Sequence, residues 1–423
     1  MKAPTNGLLW ISALLCCGTI NAQIYETNSV TVQTFAGSGF YGWVDGQGTL
    51  TMFNNPSAIV ADSSSNLFVL DNSNYRIRKV TPDGTVTTFI GGGQYTPPGY
   101  GTNVSLQNYS LGSMAIDHSN VLWLTAGYSS GLLRITSDGF VQPVLSPGTI
   151  YPAGICVDSG NNLYLSESSK NIIYRFRTNW VMEVFAGSGN PGSVDGNGIF
   201  TSFSAPTVLA ADAADNIYVW DSNSRLIRRI NQNRDVVTIA GRPGNYSSTD
   251  VDGVGTNASF SSVSRMMVDH YGRLILTCGS GGYYGSGSSI RKMTADTNVT
   301  TIAGSFTQSG YANGAGSNAL FNGASGVCVS QDKIFVVDTY NQRIRSISFD
   351  ATPQLVPDSA LSLNTFAGLR ITGAVGRTYR IESSTTMSNW TQETTILLSR
   401  SPYLWIDPNP LGAKKFFRAF LLP

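Results

Sequence analysis

Thr34-Phe-Ala-Gly37 recurs along the chain as Thr88-Phe-Ile-Gly91, Val184-Phe-Ala-Gly187, Thr238-Ile-Ala-Gly241 and Thr301-Ile-Ala-Gly304, with successive glycines 54, 96, 54 and 63 residues apart. The interval of 96 spans two units, and Val141-Gln-Pro-Val-Leu145 is its weaker middle member. Between these runs each unit carries three more strand-like segments. The first ends at Asp62, Asp117, Asp158, Asp212 or Asp269, with Ser330 in the last unit. The second is apolar, as in Leu67-Phe-Val-Leu-Asp71, Ile217-Tyr-Val-Trp-Asp221 and Ile334-Phe-Val-Val-Asp338. The third alternates basic and apolar residues, as in Arg76-Ile-Arg-Lys-Val80, Ile227-Arg-Arg-Ile230 and Arg343-Ile-Arg-Ser-Ile347.

Four short strands in a unit of roughly 50 residues, joined by polar turns, describe one blade of a β-propeller. A blade cannot bury both faces of its own sheet, so blades stack, and closing the ring removes unpaired edges. First, second and third strands each occur six times, yet only five fourth strands follow them. Val30-Thr-Val-Gln-Thr-Phe-Ala36 resembles those five and precedes the first unit. The sequence therefore predicts an all-β fold: a six-bladed β-propeller over residues 30–349, closed by an N-terminal strand.

The stretch Asp71-Asn-Ser-Asn-Tyr-Arg-Ile-Arg-Lys79, echoed from Asp221 to Arg229 and from Asp338 to Arg345, resembles the most recognisable part of NHL-repeat proteins. Asp45-Gly-Gln-Gly48 with Phe53 and Pro56, and Asp195-Gly-Asn-Gly198 with Phe203 and Pro206, resemble the long loop of bacterial and plant members. Blades two and three depart furthest from the pattern. Asp62, Asp71, Asp117, Asp158, Asp212, Asp221, Asp269 and Asp338 are read as turn formers, because a short carboxylate can accept a bond from a backbone N–H two residues on. The arginines of the third strands are expected to lay apolar stems on the blade surface while their charged ends reach solvent or adjacent acids.

Outside the repeats, Lys2 followed by the apolar run Leu8–Cys17 and by Asn21-Ala22 reads as a signal peptide over residues 1–22. That run is too short for a ~30 Å hydrocarbon core. A secreted, extracellular, periplasmic or cell-surface protein without a membrane span is expected. Thr352-Pro-Gln-Leu-Val-Pro357 marks a linker over 350–358, and residues 359–423 read as a small β-sandwich-like accessory domain. Within it, Tyr379-Arg-Ile-Glu-Ser-Ser384, Asn389-Trp390, Asp407 and Phe416-Phe-Arg418 resemble a C-terminal module of secreted proteins from Verrucomicrobia and related bacteria.

Charge and chemistry bound the function. With 27 basic and 26 acidic residues, and no basic cluster, a nucleic-acid partner is not expected. His118 and His270 are the only histidines. Both follow a first-strand acid, on blades that face each other across the ring, and two ligands do not make a three-ligand zinc site. After removal of the leader, Cys156, Cys278 and Cys328 remain, an odd number that reads as buried thiols. No metal, cofactor or catalytic residue is expected, and the chain reads as a monomeric binding or scaffold protein more than an enzyme. The alternative is a metal-dependent hydrolase, lactonase or lyase with its site at the channel.

The fourth-to-first and second-to-third loops emerge at one end of a propeller, and here they are rich in aromatic residues. Phe40, Tyr41, Trp43, Tyr75, Tyr95, Tyr100, Tyr128, Tyr246, Tyr283, Tyr284, Tyr311 and Tyr340 fall on them. Such rings give broad amphipathic contact at low entropic cost. The expected partner is a glycan, a cell-surface polymer or a protein. Packing of these rings within their own loops is the competing explanation.

Overall fold

Val30–Ala36 pairs antiparallel with Arg343–Phe349, matching Val30 to Phe349 and Val32 to Ile347. The missing fourth strand of the last blade is therefore the N-terminal one, as the strand count requires. The computed structural model describes residues 30–127, 131–145, 148–242, 250–279, 287–349, 366–371, 377–384, 389–397, 403–410 and 416–421. The signal-peptide and linker readings, over 1–22 and 350–358, lie outside them.

Six antiparallel sheets are arranged as blades whose first strands are Pro56–Ala61, Met114–Ile116, Gly154–Val157, Pro206–Ala211, Val263–Val268 and Ala324–Ser330. Each first strand packs against the next in that order, and the sixth returns to the first, so the ring is complete. The hydrophobic core is divided among the junctions between blades. At the closing junction, Phe35, Ala36, Phe335, Val337 and Ile344 of blade six pack with Ile59, Val69 and Val80 of blade one. Polar contacts fix the same seam. Asn55 N–H donates to Gln342 Oε1 at 2.6 Å, the Thr339 hydroxyl donates to the Pro56 carbonyl at 2.8 Å, and Arg343 donates to the Ser38 carbonyl at 2.8 Å.

Blades one, two, four, five and six carry a fifth strand of two residues on the outer edge, such as Gly46–Gln47. It belongs to the Asp-Gly-Xaa-Gly loop. At Gly46 φ is +152° and at Gly48 +52°, and the second of these is the left-handed backbone that favours glycine.

The third-strand arginines correct the surface reading. Arg78, Arg228, Arg291 and Arg345 are completely buried. Arg78 donates to Asp71 at 3.0 Å and Asp45 at 2.5 Å, and to the carbonyls of Met52 and Val44, with Phe53 lying 5.3 Å from its guanidinium. The same station recurs in blade four with Arg228, Asp221, Asp195 and Phe203, and in blade six with Arg345, Asp338, Asn313 and Phe321. In blade five, Arg291 uses Asp252 and Phe260. A guanidinium has five donors and a flat face, so one side chain can tie a loop, a strand end and a ring together.

At the opposite end, Asp62 Oδ1 accepts from the N–H groups of Ser64 and Asn66, at 2.9 and 2.8 Å. Asp117, Asp158, Asp212 and Asp269 make the same pair of bonds to the residues two and four positions on. Cys156, Cys278 and Cys328 are free and buried, and desolvation pushes each thiol's pKa up.

The chain divides into two compact units. In the C-terminal one, Phe366–Ile371 pairs with Tyr403–Pro410, and Thr378–Ser384 lies between Thr391–Leu397 and Phe416–Leu421.

Two outcomes follow from this architecture. Val30, Val32 and Ala36 are fully buried, and the two valines alone represent about 1.5–3 kcal/mol each. Against a usual total of about 5–15 kcal/mol, a chain starting at Gly37 should melt far below one starting at Gln23 and should associate through the exposed third strand. Thermal unfolding with light scattering reads both, and equal melting with equal monomeric mass would refute closure by this strand. Burial is the dominant influence on Asp221 and, against the opposing bonds from Ser204 N–H and Arg228, raises its pKa to about 6. A carboxyl that binds protons more tightly when folded adds stability below its unfolded pKa of 3.8, and loses that contribution as pH rises through about 6. The Asp221→Asn variant should show a flatter stability-pH curve between about pH 4 and 6. An unchanged slope in denaturant titrations would remove Asp221 from this role.

Candidate functional site

In each blade the first strand begins, and the second strand ends, at the face from which the fourth-to-first loops emerge. The sequence between Gly37 and Pro56 must therefore cross this face before blade one starts. It does so through Ser38–Val44, pinned where Ser38 N–H donates to the Thr51 carbonyl and Gly42 N–H to the Phe53 carbonyl. The pinning leaves Phe40, Tyr41 and Trp43 projecting, at 71%, 66% and 61% exposure.

Of the aromatic residues expected on this face, Tyr75, Tyr95, Tyr100, Tyr311 and Tyr340 are also exposed. Tyr128, Tyr246, Tyr283 and Tyr284 lie outside the described residues. The eight described rings belong to consecutive blades, six, one and two, and Tyr100 among them lies where the fourth strand of blade two begins, paired with Phe140. Three of them are partly occupied with their own blades. Tyr311 lies under Arg343 at 3.9 Å and bonds Thr34 at 2.8 Å, Tyr340 covers Gly323, and Tyr100 packs on Phe140 at 4.7 Å.

Trp43 is placed differently. Its ring lies 5.3 Å from the guanidinium of Arg76, and the two form one side of a hollow of about 250 Å³ completed by Asp45, Thr88, Gly91, Gly92 and Thr102. Arg76 is held by the Asn74 carbonyl at 3.3 Å. At Gly92, φ is +92° and an added Cβ would come within 2.7 Å of Arg76, so glycine is required for the guanidinium to lie there. Asp45 is committed on one side to buried Arg78 and on the other to Thr88 N–H at 3.0 Å. The hollow thus offers an indole face, a cation and fixed polar groups.

The second concave feature is the central channel, about 230 Å³, lined by all six first strands. Its walls include Ala58, Met114, Ile155, Leu209, Met266 and Val327. One charged side chain enters it. Arg265, on the first strand of blade five, donates to its neighbour's Ser264 carbonyl at 2.9 Å and to the Gly112 carbonyl of blade two at 3.1 Å. Blades two and five are opposite, so the side chain bars the bore. No carboxylate lies within ion-pair distance of it among the described residues, and desolvation lowers its pKa to about 10. Sequence reasoning missed this residue. The available signal was that Arg265 is the one charged residue within the six first strands.

The histidines sit at the far end. His118 bonds Asn161 at 3.0 Å, and His270 faces Asp332 at 3.5 Å. Among the described residues, no group of three His, Cys, Asp or Glu side chains is close enough to hold a metal ion. That end also exposes Trp180 and Tyr271, so aromatic residues are not confined to the loop face.

An NHL repeat is matched over residues 321–345. That segment runs from Phe321, through the buried second strand of blade six, to Arg345, and so contains three of the four members of the blade-six station, Phe321, Asp338 and Arg345, while Asn313 precedes it. The whole propeller is similar to solved bacterial structures. A Bacteroides thetaiotaomicron protein of unknown function is 19% identical, with a TM-score of 0.60 and coverage of 75% of this chain and 76% of that one. An auxiliary nutrient binding protein of the same organism is 17% identical, with a TM-score of 0.58 and coverage of 76% of each. Virginiamycin B lyase from Staphylococcus aureus, in a catalytically inactive form with quinupristin, is 12% identical, with a TM-score of 0.49 and coverage of 76% and 99%. The expectation of a binding or scaffold protein more than an enzyme is corrected by these neighbours, which include a protein named as a lyase as well as one named as a binding protein; at these identities the likeness shows the fold alone.

Proposed function

We propose that the loop face is a recognition surface for a glycan or cell-surface polymer, with the Trp43–Arg76 hollow as its anchor. The carrying observation is an exposed indole stacked on a cation beside fixed polar groups, in a cleft that the chain builds with Gly91 and Gly92 and does not fill. A sugar ring has apolar C–H faces and polar edges, and it needs an aromatic platform next to hydrogen-bonding groups. Phe40, Tyr41, Tyr75 and Tyr95 extend the platform over neighbouring blades, which suits a polymer longer than one ring. A leader peptide over residues 1–22 would bring this surface to the compartment where such polymers occur.

A second reading places chemistry in the central channel. Arg265 favours it, since a desolvated guanidinium can stabilise negative charge developing on a carbonyl oxygen. Ester, lactone or eliminative turnover that disappears in Arg265→Met would support this reading, and turnover unaffected by that change would move the chemistry elsewhere.

The recognition surface is tested on a glycan array followed by titration calorimetry. Trp43→Ala should weaken binding of a selected polysaccharide by about tenfold or more, the loss of 1.4 kcal/mol or above expected for an aromatic anchor. Arg76→Ala should weaken it less, and melting temperatures should stay within a few degrees of the parent. Full affinity in both variants would remove the hollow from the binding face.

A further inference from the structure

The central channel combines two properties that a purely structural bore does not need together. Every blade contributes apolar side chains to its walls beside polar surface, and the small residual exposure of Ala58, Met114, Ile155, Leu209, Met266 and Val327 is exposure to this lumen. Into it projects a permanent cation whose hydrogen bonds, to Ser264 and Gly112, are both to neutral carbonyls. Arg265 is half-buried, and the fully buried arginines of the propeller have a different arrangement. Arg78, Arg228 and Arg291 each meet one or two aspartates, and Arg345 meets Asp338 and Asn313. Partly desolvating a charge without a counter-ion also carries a cost, smaller than that of full burial. Blades one to four and six place small or apolar residues in their first strands, so nothing about blade geometry demands an arginine at this position.

We propose that the channel is a binding site for a small organic carboxylate with an apolar body, whose carboxylate pairs with Arg265 and whose chain lies along the first strands. One guanidinium matches one carboxylate, in the two-pronged geometry these groups favour. A phosphate dianion would call for more donors than the lumen provides. The volume, near 230 Å³, is below the ~300–1,000 Å³ of pockets for drug-sized ligands, which selects a short chain. Arg265 sits where the first strands begin, at the loop-face end, so the carboxylate end lies there and the chain points toward the histidine-bearing face. This assignment concerns binding alone and depends on neither functional reading above.

Hexanoate is a suitable probe, with 1-hexanol and acetate separating its two halves. The full chain should bind hexanoate saturably in calorimetry and melt at higher temperature in its presence. Hexanol and acetate should each bind at least about tenfold more weakly. Arg265→Met should retain the fold, judged by circular dichroism, and lose hexanoate affinity by about tenfold or more, while Arg265→Lys should keep part of it because the charge remains. Trp43→Ala should leave hexanoate binding unchanged, which separates this site from the glycan surface. Saturable hexanoate binding that survives in Arg265→Met would overturn the assignment. So would the absence of binding by the parent protein to hexanoate at millimolar concentration, combined with a lower melting temperature of Arg265→Met, since Arg265 would then be a structural tie between opposite blades. If Arg265→Met fails to fold, the Arg265→Lys result and the hexanoate, hexanol and acetate series on the parent still decide the question.

Discussion

A fully buried guanidinium is the constraint around which the blades are organised. Arg78, Arg228, Arg291 and Arg345 each take up a side-chain acceptor from the Asp-Gly-Xaa-Gly loop or its Asn313 counterpart, carbonyls of the same long loop, and a phenylalanine ring. In three of the four blades the acid at the end of the second strand joins them. A loop of more than fifteen residues would otherwise gain little from ordering, because conformational entropy opposes it residue by residue. Charge-assisted bonds to several points along the loop offset that cost and set its path. The path in turn determines which side chains are left outside, and in blade one these are Phe40, Tyr41 and Trp43.

Where the station is incomplete the blade changes. Blade two has Ala126 at the position of Asp71, and blade three has Tyr174 at the position of Arg78. Among the described residues, the sheet of blade three also has no fifth strand. Its Arg175 is instead satisfied near the surface by Glu183, which also meets Arg177 and Arg234. Partial desolvation opposes ionisation of Glu183, but Arg175 and Arg177 outweigh it and hold its pKa at about 2. The two kinds of blade therefore place their electrostatics at different depths, one inside the long loop and one on the outer edge.

The strands and their number were legible because each fourth-strand run repeats a four-residue phrase, and counting those phrases exposes the vacancy that Val30–Ala36 fills. The depth of the arginines was not legible from alternation alone. Arg78 and Lys79 look alike in a basic strand, and the distinction lies in partners 7 and 33 residues away, Asp71 and Asp45. The same two spacings recur at Asp221, Asp195 and Arg228. The two-residue fifth strands were missed since Gly46–Gln47 carries no apolar signal. Aromatic content located the loop face but could not separate Trp43, which borders an open hollow, from Tyr311, which is stacked beneath Arg343. Arg265 escaped notice because it was read as part of a strand pattern, without comparison with the five equivalent positions.

Closure by Val30–Ala36 joins residues separated by more than three hundred positions, as in the Val30–Phe349 pair. The strand made first on the ribosome has its partner in the segment made last among the blades. Five blades can assemble in order as they appear, but the sixth must wait, leaving an open ring with two unpaired edges for the whole of synthesis. Contacts so distant in sequence make for slow final steps. The interval before the ring closes is thus the period in which this chain most needs protection from association with its own copies.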